Sequence, residues 1–407
     1  MNRPLCIAMP TPSFLPNLGG MEVGLHNIAA RLKSRGHDPV VIVPATTARQ
    51  VRANYPDLPY RVASFWPKMS GLAYTHPKLA LRMYQTFFHV FQKMNRVDVW
   101  HGTMIYPVGT GLSAAFGTSI PALIRAAGDD IQVDEQADYG IRRHKPIDDI
   151  VRRYGIGARA YVAITESVRK EYLALGIAPE RIHDISNGVD VARFQSTPRL
   201  SDIRARFNIP ADAFMFLSVG RHHPKKNFSL LVTALSMFQY KNPSLNAVLV
   251  VCGRGAHSLK AQAMALGVSD KVILIDGLSP AAAGETSLRV PSNDLLALYR
   301  AADAFVFPSL IETFGIAIVE AMAAGLPVLV ADSPGCRDVA GRGENAVMLN
   351  PLNAEEWAAA MARVASDPDL RGDLSRRAFS RARNFDWDHV VSLYEDLYHR
   401  LIAGEGA

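Results

Sequence analysis

Short runs of apolar and β-branched residues alternate with longer helix-like segments along this chain, and the alternation restarts near its middle. In the first half the predicted strands run from Leu5–Met9 to Ala160–Ile164, and in the second from Phe214–Val219 to Pro327–Val330. Strands separated by helices pair in parallel, so each series predicts one α/β layer structure with helices on both faces of a sheet. The sequence therefore predicts two such domains in succession.

The chain has 407 residues, which is enough for two or three domains at roughly 150 residues each. We predict an N-terminal Rossmann-like domain over 1–190, a polar linker over 191–212, a C-terminal Rossmann-like domain over 213–385 and a final helical segment over 386–407. Ligands of open α/β sheets bind outside the carboxyl ends of the strands. Two such domains facing each other are therefore expected to enclose a ligand in the cleft between them.

The net charge of +6 belongs entirely to the first half of the chain. Residues 1–190 carry 22 Lys and Arg against 16 Asp and Glu, whereas residues 191–407 carry 22 of each. This predicts an anionic partner or surface for the first half, with a plain solvated face as the alternative. The apolar stripe within His76–Val97 favours core packing, and a membrane contact or hydrophobic acceptor groove is the other interpretation. No nucleic-acid-binding motif accompanies the charge.

The number and spacing of the cysteines and the length of the apolar runs indicate in which cellular compartment the protein is expected. The three cysteines form no C-x-x-C pair, which argues against a disulfide framework or a zinc site. No run approaches 18 apolar residues, and Leu5–Met9 is too short for the apolar region of a signal peptide. We expect a cytoplasmic protein, which its basic half could hold peripherally at the inner face of the cytoplasmic membrane.

Two glycine-containing loops lie where a strand is predicted to lead into a helix. Gly19 and Gly20 come before the first helix, where exposed N–H groups favour an anion. Gly220 opens a loop with Arg221 and Lys226, side chains suited to phosphate oxygens. The alternatives are an ordinary strand-to-helix turn for the first loop and a solvated basic loop for the second.

The segment Pro308–Ala323 carries the most specific pattern. It places Glu312 and Glu320 eight residues apart, across a predicted junction between a loop and a helix. A carboxylate among small apolar residues is costly unless it accepts hydrogen bonds, and sugar hydroxyls are suitable donors. The exposed N–H groups of Phe314, Gly315 and Ile316 would meet a negatively charged ligand at the positive end of the helix.

These motifs resemble those of the retaining family 4 glycosyltransferases with the GT-B fold, whose E-x7-E motif looks like Glu312–Glu320 here. The resemblance extends in the same order along nearly the whole chain. It includes Gly19-Gly20-Met21-Glu22, Ile164-Thr165-Glu166-Ser167, Ser186-Asn187-Gly188-Val189-Asp190, Gly220-Arg221 with Lys226, and Cys252-Gly253-Arg254-Gly255.

The resemblance implies a nucleotide diphosphate sugar as donor substrate, a carbohydrate or lipid-linked acceptor, and no cofactor or metal. Glu320 would bind the ribose, Arg221 and Lys226 the diphosphate, and Glu312 the donor sugar. The remaining donor-binding residues that it implies are Gly19, Gly20, Gly220, Gly253, Phe314, Gly315 and Ile316. It further implies that the last helix returns to the N-terminal domain.

The chain departs from the family pattern on the acceptor side. His101-Gly102-Thr103 retains only the first residue of a frequent His-x-His, and Ala127 stands where a histidine is common. His101 is therefore a candidate catalytic or acceptor-side residue, with a structural histidine as the alternative. The departures also leave open a catalytically silent sugar-nucleotide-binding protein. A nicotinamide-dependent oxidoreductase is disfavoured, because Ser258 replaces the third glycine of its fingerprint.

Overall fold

The chain folds into two compact units. A computed structural model describes residues 3–135, 138–196, 203–278 and 290–404. Unit 1 contains Met1–Asn187 together with Trp387–Ala407, and unit 2 contains Gly188–Asp386. Unit 1 is thus built from both ends of the sequence. Within the described ranges, no helix combines the length and the apolar character that crossing a membrane requires.

Unit 1 is built on a seven-stranded parallel sheet with the strand order β3-β2-β1-β4-β5-β6-β7. Its central strands are buried along their length, since helices cover both faces of the sheet. The strands are β1 Cys6–Pro10, β2 Asp38–Val43, β3 Arg61–Ser64, β4 Val99–Thr103, β5 Ala122–Arg125, β6 Ala160–Ala163 and β7 Ile182–Asp184. The helices before the crossing to unit 2 are α1 Gly20–Ser34, α2 Ala45–Asn54, α3 Met69–Thr75, α4 Pro77–Asn95, α5 Thr110–Phe116, α6 Lys145–Tyr154 and α7 Glu166–Ala174.

Unit 2 repeats this architecture with six parallel strands in the order β10-β9-β8-β11-β12-β13. The strands are β8 Phe214–Val219, β9 Ala247–Cys252, β10 Val272–Ile275, β11 Ala304–Phe307, β12 Val328–Ala331 and β13 Val347–Leu349. The helices are α8 Val191–Ser196, α9 Ile203–Arg206, α10 Phe228–Lys241, α11 Lys260–Ala265, α12 Asn293–Ala301, α13 Ile316–Ala323, α14 Pro334–Val339, α15 Ala354–Ser366 and α16 Pro368–Ala382. The prediction of two Rossmann-like domains is confirmed.

The segment predicted as a linker, 191–212, differs from that expectation. Its described part contains α8 and α9 and belongs to unit 2, while residues 197–202 lie outside the described residues. The buried side chains of Phe194 and Ile203 explain the difference, since each anchors a short helix to the core of unit 2.

The C-terminal helix α17, Trp387–Ala403, returns to unit 1 as expected from the fold class. Its buried face includes Trp387, Tyr394 and Leu397. The Arg35 guanidinium forms an ion pair with Glu395 and donates to the backbone carbonyl of Asp388. The helix therefore completes the core of unit 1, to which it is joined by both apolar and charged contacts.

Candidate active site

Two loops of unit 2 meet at the carboxyl ends of neighbouring strands. Residues 220–227 follow β8, and residues 308–315 follow β11, which pairs with β8 in parallel. The backbone N–H of Leu310 donates to the carbonyl of Lys225 at 2.8 Å, and the Ser309 hydroxyl lies 3.1 Å from the same oxygen. Parallel pairing thus brings together two motifs that are about 90 residues apart in sequence.

Glu312 and Lys226 form a buried ion pair where these loops meet. The Lys226 ammonium donates to Glu312 Oε1, and the Ser309 hydroxyl lies 2.9 Å from the same carboxylate oxygen. The two side chains retain only 9% and 17% of their exposure, and the ammonium also lies 4.8 Å from the centre of the Phe307 ring. The ion pair holds the Lys226 ammonium at the carboxyl ends of β8 and β11.

The surroundings of Glu312 keep its carboxylate ionised. Burial acts to raise its pKa, but the charges of Lys226 and Lys225 and the hydrogen bonds from Lys226 and Ser309 outweigh burial, so that the pKa is lowered. An ionised Glu312 in turn holds the Lys226 ammonium in place. The arrangement is suited to presenting positive charge to an anionic group.

Helix α13 begins directly after this ion pair. Its N-cap, Gly315, has a φ of 84°, a left-handed conformation that favours glycine. Among the described residues, the backbone N–H groups of Phe314, Gly315 and Ile316 donate to no protein acceptor. A helix N-terminus with unsatisfied donors favours negative charge, and here the helix begins four residues after Glu312, the partner of Lys226.

Glu320 lies further along α13, with its carboxyl group turned into a buried site. Its side chain is 8% exposed, and the Tyr299 hydroxyl donates to its Oε2 at 2.8 Å. Burial raises the pKa of Glu320 to about 7, although the Tyr299 hydrogen bond and the charge of Arg193 oppose the rise. The carboxylate is therefore short of donors, and ligand hydroxyls would supply them.

Gly220 and Gly253 bring the ends of β8 and β9 into close contact. A Cβ atom at Gly253 would lie 2.0 Å from the Gly220 carbonyl oxygen, so only glycine fits there. The same approach brings the Arg221 backbone N to 3.1 Å from that hypothetical Cβ. The Arg221 side chain is exposed, and among the described residues it has no carboxylate partner. Its guanidinium is available to an anion.

Gly19 and Gly20 belong to unit 1, at the N-terminus of α1. Gly19 is the N-cap, and its carbonyl accepts from Val23 N at 3.0 Å. The Ser13 hydroxyl donates to Glu22 Oε1 at 2.7 Å, which brings Glu22 Oε2 within 2.6 Å of a hypothetical Gly19 Cβ. Both glycines are exposed, so their backbone is accessible to a ligand.

His101 is a buried residue of unit 1, as the alternative of a structural histidine expects, and its role toward a substrate stays a prediction. Its side chain has no exposed surface; Nδ1 lies 2.7 Å from the Tyr398 hydroxyl, and its ring stacks on Tyr394 at 5.0 Å. Burial lowers its pKa to about 3, with a smaller effect from Arg125, so the imidazole is neutral. The histidine joins β4 to α17 within unit 1.

Sequence reasoning missed several residues that support the site: Arg193, Tyr299, Ser309 and Gly335. In the sequence, Tyr299 is indistinguishable from an ordinary core residue of α12, and only its hydrogen bond to Glu320 reveals its role. Ser309 lies within the quoted motif, three residues before Glu312, and that spacing was the available signal. A Cβ at Gly335 would lie 2.2 Å from the Glu312 carbonyl oxygen. Within the described ranges, no cluster of three or more metal-ligating side chains occurs.

Comparisons with known proteins agree with this geometry. Residues 18–193 match the family described as "Glycosyltransferase Family 4", and residues 201–381 match "Glycosyl transferases group 1". A D-inositol 3-phosphate glycosyltransferase from Saccharomonospora viridis is 32% identical over 235 residues, 56% of this chain and 52% of that protein. The enzyme of the same name from Kineococcus radiotolerans is 27% identical over 96% of this chain and 92% of its own length. The chain thus spans about half the length of the first of these relatives and nearly all of the second.

Solved structures are similar across the whole chain. A glycosyltransferase from Rickettsia africae superposes with a TM-score of 0.79 at 17% identity, covering 98% of this chain and 99% of its own. The Anabaena protein HepE, crystallised with UDP and glucose, has a TM-score of 0.73 at 20% identity and covers 96% and 98%. The two family matches together take in both units and every motif of the site. The chain belongs to glycosyltransferase family 4 and has the GT-B fold.

Proposed function

We propose that this protein is a retaining glycosyltransferase that moves a sugar from a nucleotide diphosphate sugar to an acceptor hydroxyl. The observation that carries the proposal is the cluster in unit 2. The loop before α13 and the helix itself carry Glu312, three backbone N–H donors and the carboxyl group of Glu320, and the neighbouring loop after β8 supplies Lys226, the buried partner of Glu312. Together they match the charges and hydroxyls of a nucleotide diphosphate sugar.

Each group in this cluster has a proposed partner on the donor. Glu320 accepts from the ribose hydroxyls, and Arg221 and Lys226 contact the diphosphate. Glu312 accepts from the donor sugar, while the N–H groups of Phe314, Gly315 and Ile316 face anionic oxygens. The backbones of Gly220 and Gly253 leave room for the nucleotide. For Gly19 and Gly20 the proposal keeps the role that the family resemblance implies, backbone contact with the diphosphate.

The proposed reaction needs no protein nucleophile and no metal ion. The bond between the anomeric carbon and the diphosphate oxygen breaks while the acceptor oxygen bonds to the same face of the sugar. Bond formation on the face from which the diphosphate departs retains the configuration, and the acceptor proton passes to the departing diphosphate. Lys226 and Arg221 stabilise the negative charge that develops on the leaving group, and this fixed positive charge lowers the barrier.

Unit 1 receives the acceptor in this proposal, and it contains the basic first part of the sequence, residues 1–187. An anionic or lipid-linked saccharide is the acceptor class that fits, as in bacterial surface polysaccharide, lipopolysaccharide or glycolipid synthesis. One structural neighbour, WaaG, is described as a glycosyltransferase involved in lipopolysaccharide biosynthesis; its TM-score is 0.69 at 18% identity. The proposed location is the cytoplasm, at the inner face of the membrane.

Nucleotide binding provides the first test. We expect UDP, GDP, ADP or dTDP to raise the unfolding temperature, and the nucleotide that does so identifies the base. If none of the four stabilises the protein, the donor-site proposal is wrong. Hydrolysis of a panel of nucleotide sugars in the presence of EDTA then tests the donor sugar and the independence from metal. Proton NMR of the freshly released sugar reports whether configuration is retained.

Two variants test the residue roles. Glu320→Ala removes the ribose acceptor and is expected to weaken nucleotide binding about 10- to 100-fold, the range for hydrogen bonds to a charged group. Lys226→Ala is expected mainly to lower turnover, because its charge matters most when the diphosphate departs. Lys260→Ala, which removes an exposed cation elsewhere in unit 2, is the control. Wild-type kinetics in both site variants would contradict the assignments.

A catalytically silent sugar-nucleotide-binding protein is the second candidate. The burial of His101 and the methyl side chain of Ala127 favour it, because neither position supplies a polar group to an acceptor. The two candidates differ in one measurement. Stabilisation by a nucleotide without hydrolysis or transfer from any donor sugar would establish the silent protein, and turnover would exclude it.

A further inference from the structure

Helix α4 of unit 1 presents a solvent-facing surface with two parallel stripes. One face is buried, with Ala80, Tyr84 and Phe88 against the core. At about 100° per residue, the exposed positions fall into two neighbouring bands. Lys78, Arg82 and Lys93 form one band, which we call the basic stripe. Leu79, Val90 and Met94 form the second band, the apolar stripe. Their spacings of 11 and 4 residues along the helix are those of the cations, 4 and 11, in reverse order.

The basic stripe has no internal charge compensation. Its three cations are exposed, and among the described residues none of them pairs with a carboxylate. Arg96, also exposed, follows the end of the helix. The stretch of chain from residue 58 to residue 97 contains six Lys and Arg and not a single Asp or Glu. Arg61 in this stretch pairs with Asp38, and the other five cations are exposed and have no carboxylate partner among the described residues.

The side chains of the apolar stripe are exposed to solvent. Leu79 is 51% exposed, Val90 39% and Met94 78%. Trp66 lies beside it, 38% exposed, with its ring edge-on to Phe87 at 5.5 Å between centroids. Apolar residues and an aromatic ring next to a row of cations are the features of a helix that lies in a membrane interface.

We infer that the exposed face of α4, together with Trp66, docks unit 1 on an anionic lipid bilayer. The cations lie level with the phosphate groups, and Leu79, Val90, Met94 and the Trp66 ring enter the boundary with the acyl chains. A second copy of the chain fits the surface less well, because a symmetric contact would bring two uncompensated basic stripes together. The inference rests on the proposed function in one respect: it places unit 1 where a lipid-linked acceptor is found.

Vesicle binding by the full chain tests this surface. We expect co-sedimentation with phosphatidylglycerol–phosphatidylcholine vesicles, weaker binding at about 1 M salt than at about 0.1 M, and little binding to phosphatidylcholine alone. Arg82→Glu/Lys93→Glu should lower the partition coefficient about 25-fold or more, since each cation near an anionic surface raises that coefficient about fivefold. Lys260→Glu/Arg363→Glu makes the same change of net charge on exposed positions of unit 2 and should bind as wild type does.

The apolar stripe has its own variant pair. Val90→Ser/Met94→Ser should weaken vesicle binding without changing its dependence on salt, because the cations remain. Tyr240→Ser/Met264→Ser alters two exposed apolar residues of unit 2, 89% and 64% exposed, and should leave binding unchanged. Equal loss of binding in both pairs would contradict a specific role for α4.

Tryptophan fluorescence reports the contact directly. The chain has four tryptophans, and Trp100, Trp357 and Trp387 are buried, which leaves Trp66 as the exposed one. We expect a blue shift on anionic vesicles and quenching by brominated acyl chains, both lost in Trp66→Phe. An emission spectrum that vesicles leave unchanged would overturn the inference.

The outcomes separate this inference from the proposed function. Absence of vesicle binding in a protein that a nucleotide stabilises overturns the docking surface and leaves the donor site intact. Vesicle binding without nucleotide stabilisation supports the surface and contradicts the donor site. Concentration-dependent dimerisation that Arg82→Glu/Lys93→Glu abolishes would assign the face to a second copy and overturn the membrane assignment.

Discussion

Glu320 is a buried carboxyl group whose ionisation opposes folding. Its pKa in the folded protein is about 7, so between its ordinary value and pH 7 the folded state binds a proton that the unfolded chain releases. The contribution of Glu320 to stability is thus fully present below about pH 4.5 and is lost as pH rises through 7. A difference of this size corresponds to about 3 kcal/mol.

The first prediction is that Glu320→Gln is more stable than the wild type at pH 8.5 and equally stable near pH 4.5. Glutamine keeps an acceptor for Tyr299 and has no charge to bury. Urea unfolding at several pH values measures the difference, which should reach about 3 kcal/mol at most. Glu180→Gln, at an exposed carboxylate, is the control and should show no such trend. A constant difference across pH would contradict the raised pKa.

The second prediction concerns the ion pair of Glu312 and Lys226. Either single variant, Glu312→Gln or Lys226→Met, leaves a buried charge without its partner and should cost about 3–5 kcal/mol of unfolding free energy. The double variant removes both charges and should cost less than the two single variants added together. A double-mutant cycle from urea unfolding measures this coupling. Simple additivity would mean that the two groups do not interact in solution.

At the scale of elements, the loop that carries Glu312 is held against the first turn of α14. A Cβ on Gly335 would lie 2.2 Å from the Glu312 carbonyl oxygen, and this glycine does not have a positive φ. Steric contact alone therefore requires glycine at the position. The third prediction is that Gly335→Ala displaces the loop, destabilises unit 2 and weakens nucleotide binding.

Gly372→Ala is the matched control for Gly335→Ala, since it is also a helical glycine of unit 2. The nearest atom to its Cβ would be Arg376 Nη1 at 3.7 Å, an ordinary contact. We expect this control to be stabilised by about 0.5–1 kcal/mol, the usual gain from alanine within a helix. Differential scanning fluorimetry with and without nucleotide compares the two variants. Equal behaviour would show that the loop tolerates a methyl group.

The elements that the sequence pattern predicted are those with continuous apolar runs. Phe214–Val219 matches the predicted strand residue for residue, because turn residues delimit the run. The edge strands β3, Arg61–Ser64, and β13, Val347–Leu349, were missed. β3 includes Arg61 and Ser64, and β13 has only three residues, so neither forms a long continuous apolar run of the kind that marks Phe214–Val219.

The donor motifs were predictable because strand order alone brings their loops together. The environment of His101 was not, since its partners Tyr394 and Tyr398 come from the end of the chain, about 300 residues away. Its position at the end of a strand favoured a role in catalysis, and only the packing of α17 reveals a core histidine. Tertiary contacts of this range leave no local signal in the sequence.

At the scale of the whole molecule, unit 1 depends on residues that follow unit 2. Leu397 is 1% exposed in the face of α17 that completes unit 1. The fourth prediction is that Leu397→Ala lowers the stability of unit 1 by about 2–5 kcal/mol, the cost of an unfilled core cavity. Ile402→Ala on the same helix, at a position 37% exposed, should change stability by less than about 1 kcal/mol.

Scanning calorimetry with and without the stabilising nucleotide separates the two units. Because the cluster of Glu312, Lys226 and Glu320 lies wholly within unit 2, nucleotide should raise the unfolding transition of that unit to the same extent in Leu397→Ala as in the wild type. The transition that Leu397→Ala lowers should be the other one. A loss of nucleotide stabilisation in this variant would contradict this expectation and show that donor binding depends on the stability of unit 1 beyond the backbone contacts proposed for Gly19 and Gly20.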